Sequence, residues 1–391
     1  MTDDATGTGE ADERSADAGD GGAGGDGRSA GGDGGTDGTD DEYTARLVDP
    51  ERLRAHLDAE LGPADEFAVE RHQAGHSNET LFVTHGDREL VVRRPPPGAT
   101  AETAHDVLRE YRVMDALQDT PVPLPTTVLA CEDESVLGAE FFVMDRTAGD
   151  VLRAEEPERF AAPEPRRRIG EELVDTLSAI HSVDPAAVGL AEFGRPAGFT
   201  QRQVDRWAKQ YEWAFAVTAD EREVPAIHET TAWLREHVPE SHPETLVHGD
   251  YKLDNVMFGP GTPPDLVGVF DWELSTLGDP LTDLGWMLSF WREARDPEPA
   301  VPELQATFMA REGYPSRREL VERYEAATGL EYEHDRFYRT LAVYKLGALG
   351  EMFFRRHLEG NSDDPLYPLM EDGVPALGER CLRIIGGEEE L

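Results

Sequence analysis

Leu246-Val247-His248-Gly249-Asp250-Tyr251-Lys252-Leu253-Asp254-Asn255-Val256-Met257-Phe258, followed by Val269-Phe270-Asp271-Trp272-Glu273, decides how this chain reads. Two short apolar strands bracket a polar loop in which an aspartate is followed by a lysine at the second position and an asparagine at the fifth. A further apolar strand then delivers Asp271. Moving a γ-phosphoryl group asks a protein for little covalent chemistry and much positioning: a carboxylate for the hydroxyl proton, oxygen ligands for magnesium, and cations over the phosphates. The spacing predicts Asp250 in the first role, Asn255 and Asp271 in the second, and Lys252 in the third. The blander reading makes Asp271 and Glu273 water-facing residues at a strand end and His248 a loop pin. It does not account for strand, loop, strand, turn and strand each carrying a fitting group.

Composition supports a required ammonium. Of 37 basic side chains only three are lysines, Lys209, Lys252 and Lys345, and one lies in the predicted catalytic loop. An ammonium is a compact point charge, unlike a planar guanidinium. With 80 acidic side chains the net charge is −43, a surface that repels nucleic acid and anionic membranes, because a nucleic-acid binder needs a basic stripe. Acidity with few lysines reads as adaptation to high salt, a halophilic trait, since salt screens the self-repulsion. Cys131 and Cys381 lie in apolar contexts suited to buried thiols, and two cysteines make no disulfide framework. No basic-then-apolar leader and no run of about eighteen apolar residues occurs, so a soluble, cytoplasmic protein is expected.

Residues 1–42 hold 13 acids, two arginines and hardly an aliphatic side chain. They cannot bury enough apolar surface to offset the entropy of ordering, so a disordered acidic tail is expected. Residues 43–146 predict a small nucleotide-binding lobe. It has a helix from Asp49-Pro50 to about Leu61, strands at Phe67–His72, Thr80–Thr84, Leu90–Arg93, Thr127–Ala130 and Ala139–Asp145, and one main helix, Ala101–Leu117. Residues 147–391 predict a larger lobe of helices at Arg166–His181, Gln201–Ala216, Pro225–His237, Leu281–Trp291, Ser316–Thr328 and Asp335–Leu358, with the catalytic hairpins among them. The fold class is α+β, a small mixed β-sheet lobe plus a mainly α-helical one.

In this order the parts resemble the aminoglycoside phosphotransferase and choline kinase-like family, small-molecule relatives of the protein kinases. The nearest branch is the kinase-like domain of acyl-CoA dehydrogenase family members 10 and 11. Besides the catalytic loop, the resemblance rests on Gly75-His76-Ser77-Asn78, Val92-Arg93-Arg94-Pro95-Pro96-Pro97-Gly98, Arg109-Glu110-Tyr111-Arg112-Val113 and Asp271 through Pro280. It spans about Arg71 to Gly360 and implies a bilobal protein-kinase-like fold using ATP and Mg2+.

Carried over position by position, Gly75, His76, Ser77 and Asn78 would cover the ATP phosphates, where small residues let backbone N–H groups approach the anion. Arg93 stands where protein kinases place a lysine and would grip the phosphates, oriented by Glu110, while Arg94 would face the other side of the sheet. Met144 would mark the hinge against adenine. Glu273 could add a contact to the metal site, His248 would support the loop, and Asp279 and Asp283 would cap a helix and hold loop backbone.

Only ten residues, Asp271 to Pro280, separate the metal ligand from the next helix. No platform for a protein substrate is left, so a small molecule bearing a hydroxyl is the expected partner. The dehydrogenase-associated branch implies a hydroxy acid or hydroxyacyl-CoA, with Trp207, Tyr211, Trp213 and Phe215 as candidates to line an acyl pocket. The alternatives are an inactive nucleotide-binding scaffold, since arginine replaces lysine, and a metal-dependent phosphohydrolase using His248, Asp250 and Asp271.

Overall fold

The computed structural model describes residues 43–72, 78–97, 106–240, 243–362 and 364–391. The acidic tail and the expected phosphate-loop residues Gly75, His76 and Ser77 lie outside the described residues.

The first lobe is built on strands β1 (Phe67–His72), β2 (Glu79–His85), β3 (Arg88–Arg94), β4 (Thr127–Cys131) and β5 (Phe141–Asp145). Their order is β1-β2-β3-β5-β4, and every neighbouring pair is antiparallel. Period-two alternation sends Leu81, Val83, Leu90, Val92, Phe141 and Val143 to one face, where they pack with Leu53 and Leu57 of helix α1 (Pro50–Leu61). The same alternation sends Val91, Phe142 and Met144 to the opposite face, with Leu108 and Val113 of α2 (Val107–Ala116). Helix α1 starts where the Asp49 carboxylate accepts the backbone N–H groups of Glu51 and Arg52, with Pro50 at the first helical position, a cap worth about 1 kcal/mol.

Register then decides what the two adjacent arginines do. Arg93 pairs across the sheet with Thr80 and donates to its hydroxyl at 2.9 Å on the cleft side. Arg94 falls on the other face, where it donates to the carbonyls of Leu137 (2.8 Å), Pro95 (2.9 Å) and Leu47. It closes off backbone between β3 and the single-turn helix α3 (Glu134–Leu137).

The second lobe holds α4 (Pro163–His181), α5 (Phe199–Thr218), α6 (Pro225–Glu236), α7 (Pro280–Phe290), α8 (Arg317–Thr328), α9 (Asp335–Leu358) and α10 (Met370–Gly386). Two small two-stranded antiparallel sheets lie among them: β6 (Thr245–Val247) pairs with β9 (Thr276–Gly278), and β7 (Val256–Phe258) with β8 (Leu266–Val269). Helix α9 is apolar on nearly every side and forms the lobe's axis, packed against α5, α7 and α10. Helix α10 has no counterpart among the helices expected from sequence, because Gly373, Pro375 and Gly378 depress its intrinsic propensity. Burial of Val374, Leu377, Cys381 and Ile384 overrides that weakness.

Contacts at the junction of the lobes include the Val269 N–H of β8, which donates to the Pro123 carbonyl at 3.0 Å. Asp150, just past the first lobe, exchanges both backbone hydrogen bonds with Phe258 of β7, at 2.8 and 2.9 Å. Arg109 of α2 donates to the carbonyls of Ser275 (2.9 Å) and Phe193 (3.2 Å), with its guanidinium 3.9 Å from the Phe193 ring centroid. Both cysteines are buried free thiols. Among the described residues no helix is long and apolar enough to cross a membrane.

Candidate active site

The loop from His248 to Asn255 joins β6 of one small sheet to β7 of the other, and its turn depends on Gly249. That residue sits at φ 86°, and a Cβ there would lie 2.6 Å from the Leu274 carbonyl oxygen. Asp283 of α7 holds the turn from below: its carboxylate accepts the backbone N–H of His248 at 2.6 Å and of Gly249 at 2.9 Å. Burial opposes that charge, but hydrogen bonding from His181 and the His248 backbone holds the Asp283 pKa below the ordinary value. The His181 ring in turn meets the Tyr324 hydroxyl at 2.7 Å, which ties α4 and α8 to the loop. His248 is fixed as well. Its Nδ1 accepts the Asp250 N–H at 3.2 Å, so Nε2 carries the proton and donates to the Phe270 carbonyl at 2.9 Å.

Asp250 is the focus of the arrangement. Trp286 Nε1–H donates to Oδ1 at 2.8 Å, Asn255 Nδ2 to Oδ2 at 2.8 Å, and Lys252 Nζ lies 3.3 and 3.2 Å from the two oxygens. Asn255 Nδ2 also reaches the Asp250 carbonyl at 2.8 Å. Burial disfavours the carboxylate, yet Lys252 and Lys345, with the Asn255 hydrogen bond, outweigh it and hold the pKa below the ordinary aspartate value. The group is therefore ionised at neutral pH. Lys252 is buried against its own charge but kept protonated by Asp250, Asp254 and Asp271, which raise its pKa.

Asp271 follows β8 in a left-handed backbone conformation, φ 65° and ψ 59°, a conformation that strains a non-glycine residue and clusters at functional sites. Its charge acts on both Lys252 and Arg93, so it sits between the loop and the sheet. Asp271 Oδ1 is buried with no hydrogen-bond partner among the described residues. Arg93 lies 3.6 Å from the Glu110 carboxylate, an ion pair rather than a hydrogen bond. Burial works against its charge, but Glu110, Asp271 and Glu273 hold its pKa above the ordinary value. Asn78 is buried at the start of β2, and neither side-chain polar atom has a partner among the described residues. Met144 is buried on the cleft face of β5, opposite Val91.

Asp250, Lys252, Asn255 and Asp271 thus come together, and Arg93, Glu110, Asn78 and Met144 lie on the sheet lobe. Asp279 caps α7 through the Leu281 N–H at 3.0 Å and also accepts the Tyr338 hydroxyl at 2.7 Å.

Two site residues lacked an expected role. Trp286 gave no signal in sequence. Lys345 stood out only by the scarcity of lysine; it lies in the middle of α9 and donates to the Gly249 carbonyl at 2.6 Å. Its Nζ is 3.9 Å from the Trp286 ring centroid. Burial lowers its pKa to about 8, against the pull of Asp250.

A cavity of about 790 Å³ opens beside the loop. Lys252, Leu253 and Asp254 form one side, Met287, Phe290 and Trp291 another, and Arg153, Met309, Leu366 and Leu369 complete much of the rest. The aromatics of α5 do not line it. Tyr211 donates to the Tyr344 carbonyl at 3.1 Å and stacks with Phe215, Trp207 is buried, and Trp213 lies exposed beneath Arg355. The acyl-pocket expectation for α5 is corrected accordingly: Tyr211 and Trp213 join α5 to α9, and the cavity is lined from α7 and the loop instead.

Residues 68–320 match the model of the phosphotransferase enzyme family, APH. The human acyl-CoA dehydrogenase family member 11 is 32% identical over 345 residues, 86% of this chain and 43% of that protein. The mouse family member 10 is 32% identical over 321 residues, 81% of this chain and 29% of that protein. The chain thus spans less than half the length of these curated relatives. A solved structure from Ralstonia eutropha, classed with the aminoglycoside phosphotransferases, aligns at TM-score 0.70 with 31% identity over 85% of this chain and 98% of that one. Choline kinase from Cryptosporidium parvum shares the fold at TM-score 0.57 and 12% identity, over 87% of this chain and 97% of that one. The chain belongs to the phosphotransferase enzyme family, and its fold is the bilobal, protein-kinase-like fold of aminoglycoside phosphotransferases and choline kinase.

Proposed function

We propose that this protein transfers the γ-phosphoryl group of ATP to a hydroxyl of a small molecule, with Asp250 taking the hydroxyl proton. The observation that carries the reading is the ionised carboxylate of Asp250, held by Trp286, Asn255 and Lys252, with Lys252 lining the cavity and Asp271 close by. A carboxylate fixed in this way can orient a hydroxyl and accept its proton as phosphorus is attacked.

The residues present fit a magnesium nucleotide. Buried acceptors left without a partner call for an explanation such as an ion or ligand, and Asp271 Oδ1 is such an atom. Asp271 and Asn255, whose Nδ2 is already given to Asp250, would hold the metal through oxygen. Among the described residues no cluster of three or more His, Cys, Asp or Glu side chains could hold a metal ion. One or two protein oxygens plus substrate phosphates is the usual provision for magnesium. When bound, magnesium would offset the charge on the phosphates. Arg93, braced by Glu110, would hold the phosphates in place of a lysine; Asn78 supplies unpaired polar atoms beside them; and Met144 would lie against the base. By family resemblance Gly75, His76 and Ser77, which lie outside the described residues, would also bind the nucleotide.

For the acceptor we favour a hydroxy acid or hydroxyacyl-CoA. The cavity walls of Leu152, Leu173, Met287, Phe290, Trp291 and Met309 suit an aliphatic chain, and Lys252 stands at the catalytic end. The names of the curated relatives point to the same acyl chemistry. The test is ATP-dependent phosphorylation of hydroxy acids, their CoA esters, sugars and aminoglycosides, followed by mass spectrometry of the product. Asp250→Asn should lower kcat by about 10²–10⁴-fold; equal turnover by the two proteins removes the mechanism.

A further inference from the structure

Two of the three lysines in the chain meet at one loop, and only Lys252 has a role so far. Lys345 comes from the other side, out of the central helix α9. Its ammonium lies 5.7 Å from the Trp207 ring centroid and closer still to two groups that both lead to Asp250. One is the carbonyl of Gly249, the residue before Asp250, at 2.6 Å. The other is the face of the Trp286 indole, 3.9 Å from the ring centroid, while the same indole gives its N–H to Asp250 Oδ1 at 2.8 Å. A cation over an indole face is attracted to the ring quadrupole, and drawing electron density towards that face makes the N–H a stronger donor. The pocket also explains the choice of side chain. A single nitrogen fits between a carbonyl and a ring face, whereas a planar five-donor fork does not. Helix packing brings the parts into reach, because α7 approaches α9 so closely at Gly285 that a Cβ would lie 2.9 Å from Tyr338 backbone atoms.

We propose that Lys345, anchored on the Gly249 carbonyl, is a positioning residue that acts through the Trp286 indole to hold the Asp250 carboxylate where it meets the acceptor hydroxyl. This rests on the phosphotransferase reading, but its structural half can be tested without turnover.

The full chain is labelled with ¹⁵N in its tryptophan indoles, and the Trp286 resonance is assigned by its loss in Trp286→Phe. In Lys345→Met the Trp286 N–H signal should move upfield by more than any other indole signal, and in Asp250→Asn it should move in the same direction. With Mg-ATP and the best acceptor from the panel, Lys345→Met should lower kcat roughly ten- to hundredfold, while KM for ATP stays within a factor of about two. Because the effect passes through the indole, adding Lys345→Met to Trp286→Phe should cost no more than about twofold further. A Trp286 signal unmoved in a folded Lys345→Met protein overturns the proposal, as do losses that multiply in the double variant. Should Lys345→Met not fold, the Asp250→Asn shift and the kcat of Trp286→Phe decide: an unmoved signal or an unchanged kcat overturns it. A wild-type chain without phosphoryl transfer to any acceptor removes the functional reading, and the resonance still decides whether Lys345 acts on the indole bound to Asp250.

Discussion

At the residue scale the site depends on a few groups placed where their ordinary chemistry is shifted by neighbours. Arg93 is one: it carries the charge opposite Glu110 and lies near Asp271. Arg93→Met should raise KM for ATP roughly ten- to hundredfold, since hydrogen bonds to charged groups are each worth about 1.5–3 kcal/mol, and steady-state kinetics against ATP will show it. Gly249 is another. Alanine there must hold φ 86° with its Cβ 2.6 Å from a carbonyl oxygen. Gly249→Ala should therefore lose at least about 1–3 kcal/mol of stability and most of its turnover, read by denaturant titration alongside activity.

At the scale of elements, α7 does more than fill the core. Its cap residue Asp279 accepts from Leu281 N–H, the Thr200 hydroxyl and the Tyr338 hydroxyl, joining α5, α7 and α9 at one carboxylate. One turn later Asp283 holds the catalytic loop, and the next turn brings Trp286 to Asp250. Asp279→Ala should cost about 3 kcal/mol, made up of the cap and a buried hydroxyl left unpaired, measured as a lower denaturation midpoint. Asp283→Ala should also slow turnover, because the loop N–H groups lose their acceptor.

At the scale of the whole molecule, charge sets the conditions of stability. With a net charge of −43, raising salt from about 0.1 to 1 M shortens the screening length from about 10 to 3 Å, and the melting temperature should rise with KCl. Acid should act the other way on the buried pairs. Glu389 binds Arg380 at 2.8 Å beneath α10, and Asp296 binds Arg317 at 2.8 Å. Despite burial, these arginines hold the pKa values of both carboxylates below their ordinary 4.5 and 3.8. A depressed folded-state pKa contributes stability above the unfolded value, and that stability is lost as pH falls through the folded one. The melting temperature should therefore be level in this respect above about pH 5 and drop steadily below about pH 4.

The sequence by itself determined the local chemistry: the polar loop between apolar strands, the alternation that puts Arg93 and Arg94 on opposite faces, and most helices up to Leu358, though not the single turn Glu134–Leu137 or the Val107 start of the sheet-lobe helix. These follow from periodicity and spacing along a few neighbouring residues, so they are legible in one dimension. Three features took the tertiary structure to decide. Helix α10 forms against its own propensity because α9 offers it an apolar face. The cavity opens beside α7 and not along α5, because the α5 aromatics are spent on α9. Lys345 and Trp286 reach Asp250 only because α7 and α9 pack in contact. Such meetings depend on side chains distant in sequence, and the free energy that selects them, burial of surface between helices, belongs to the assembled lobe.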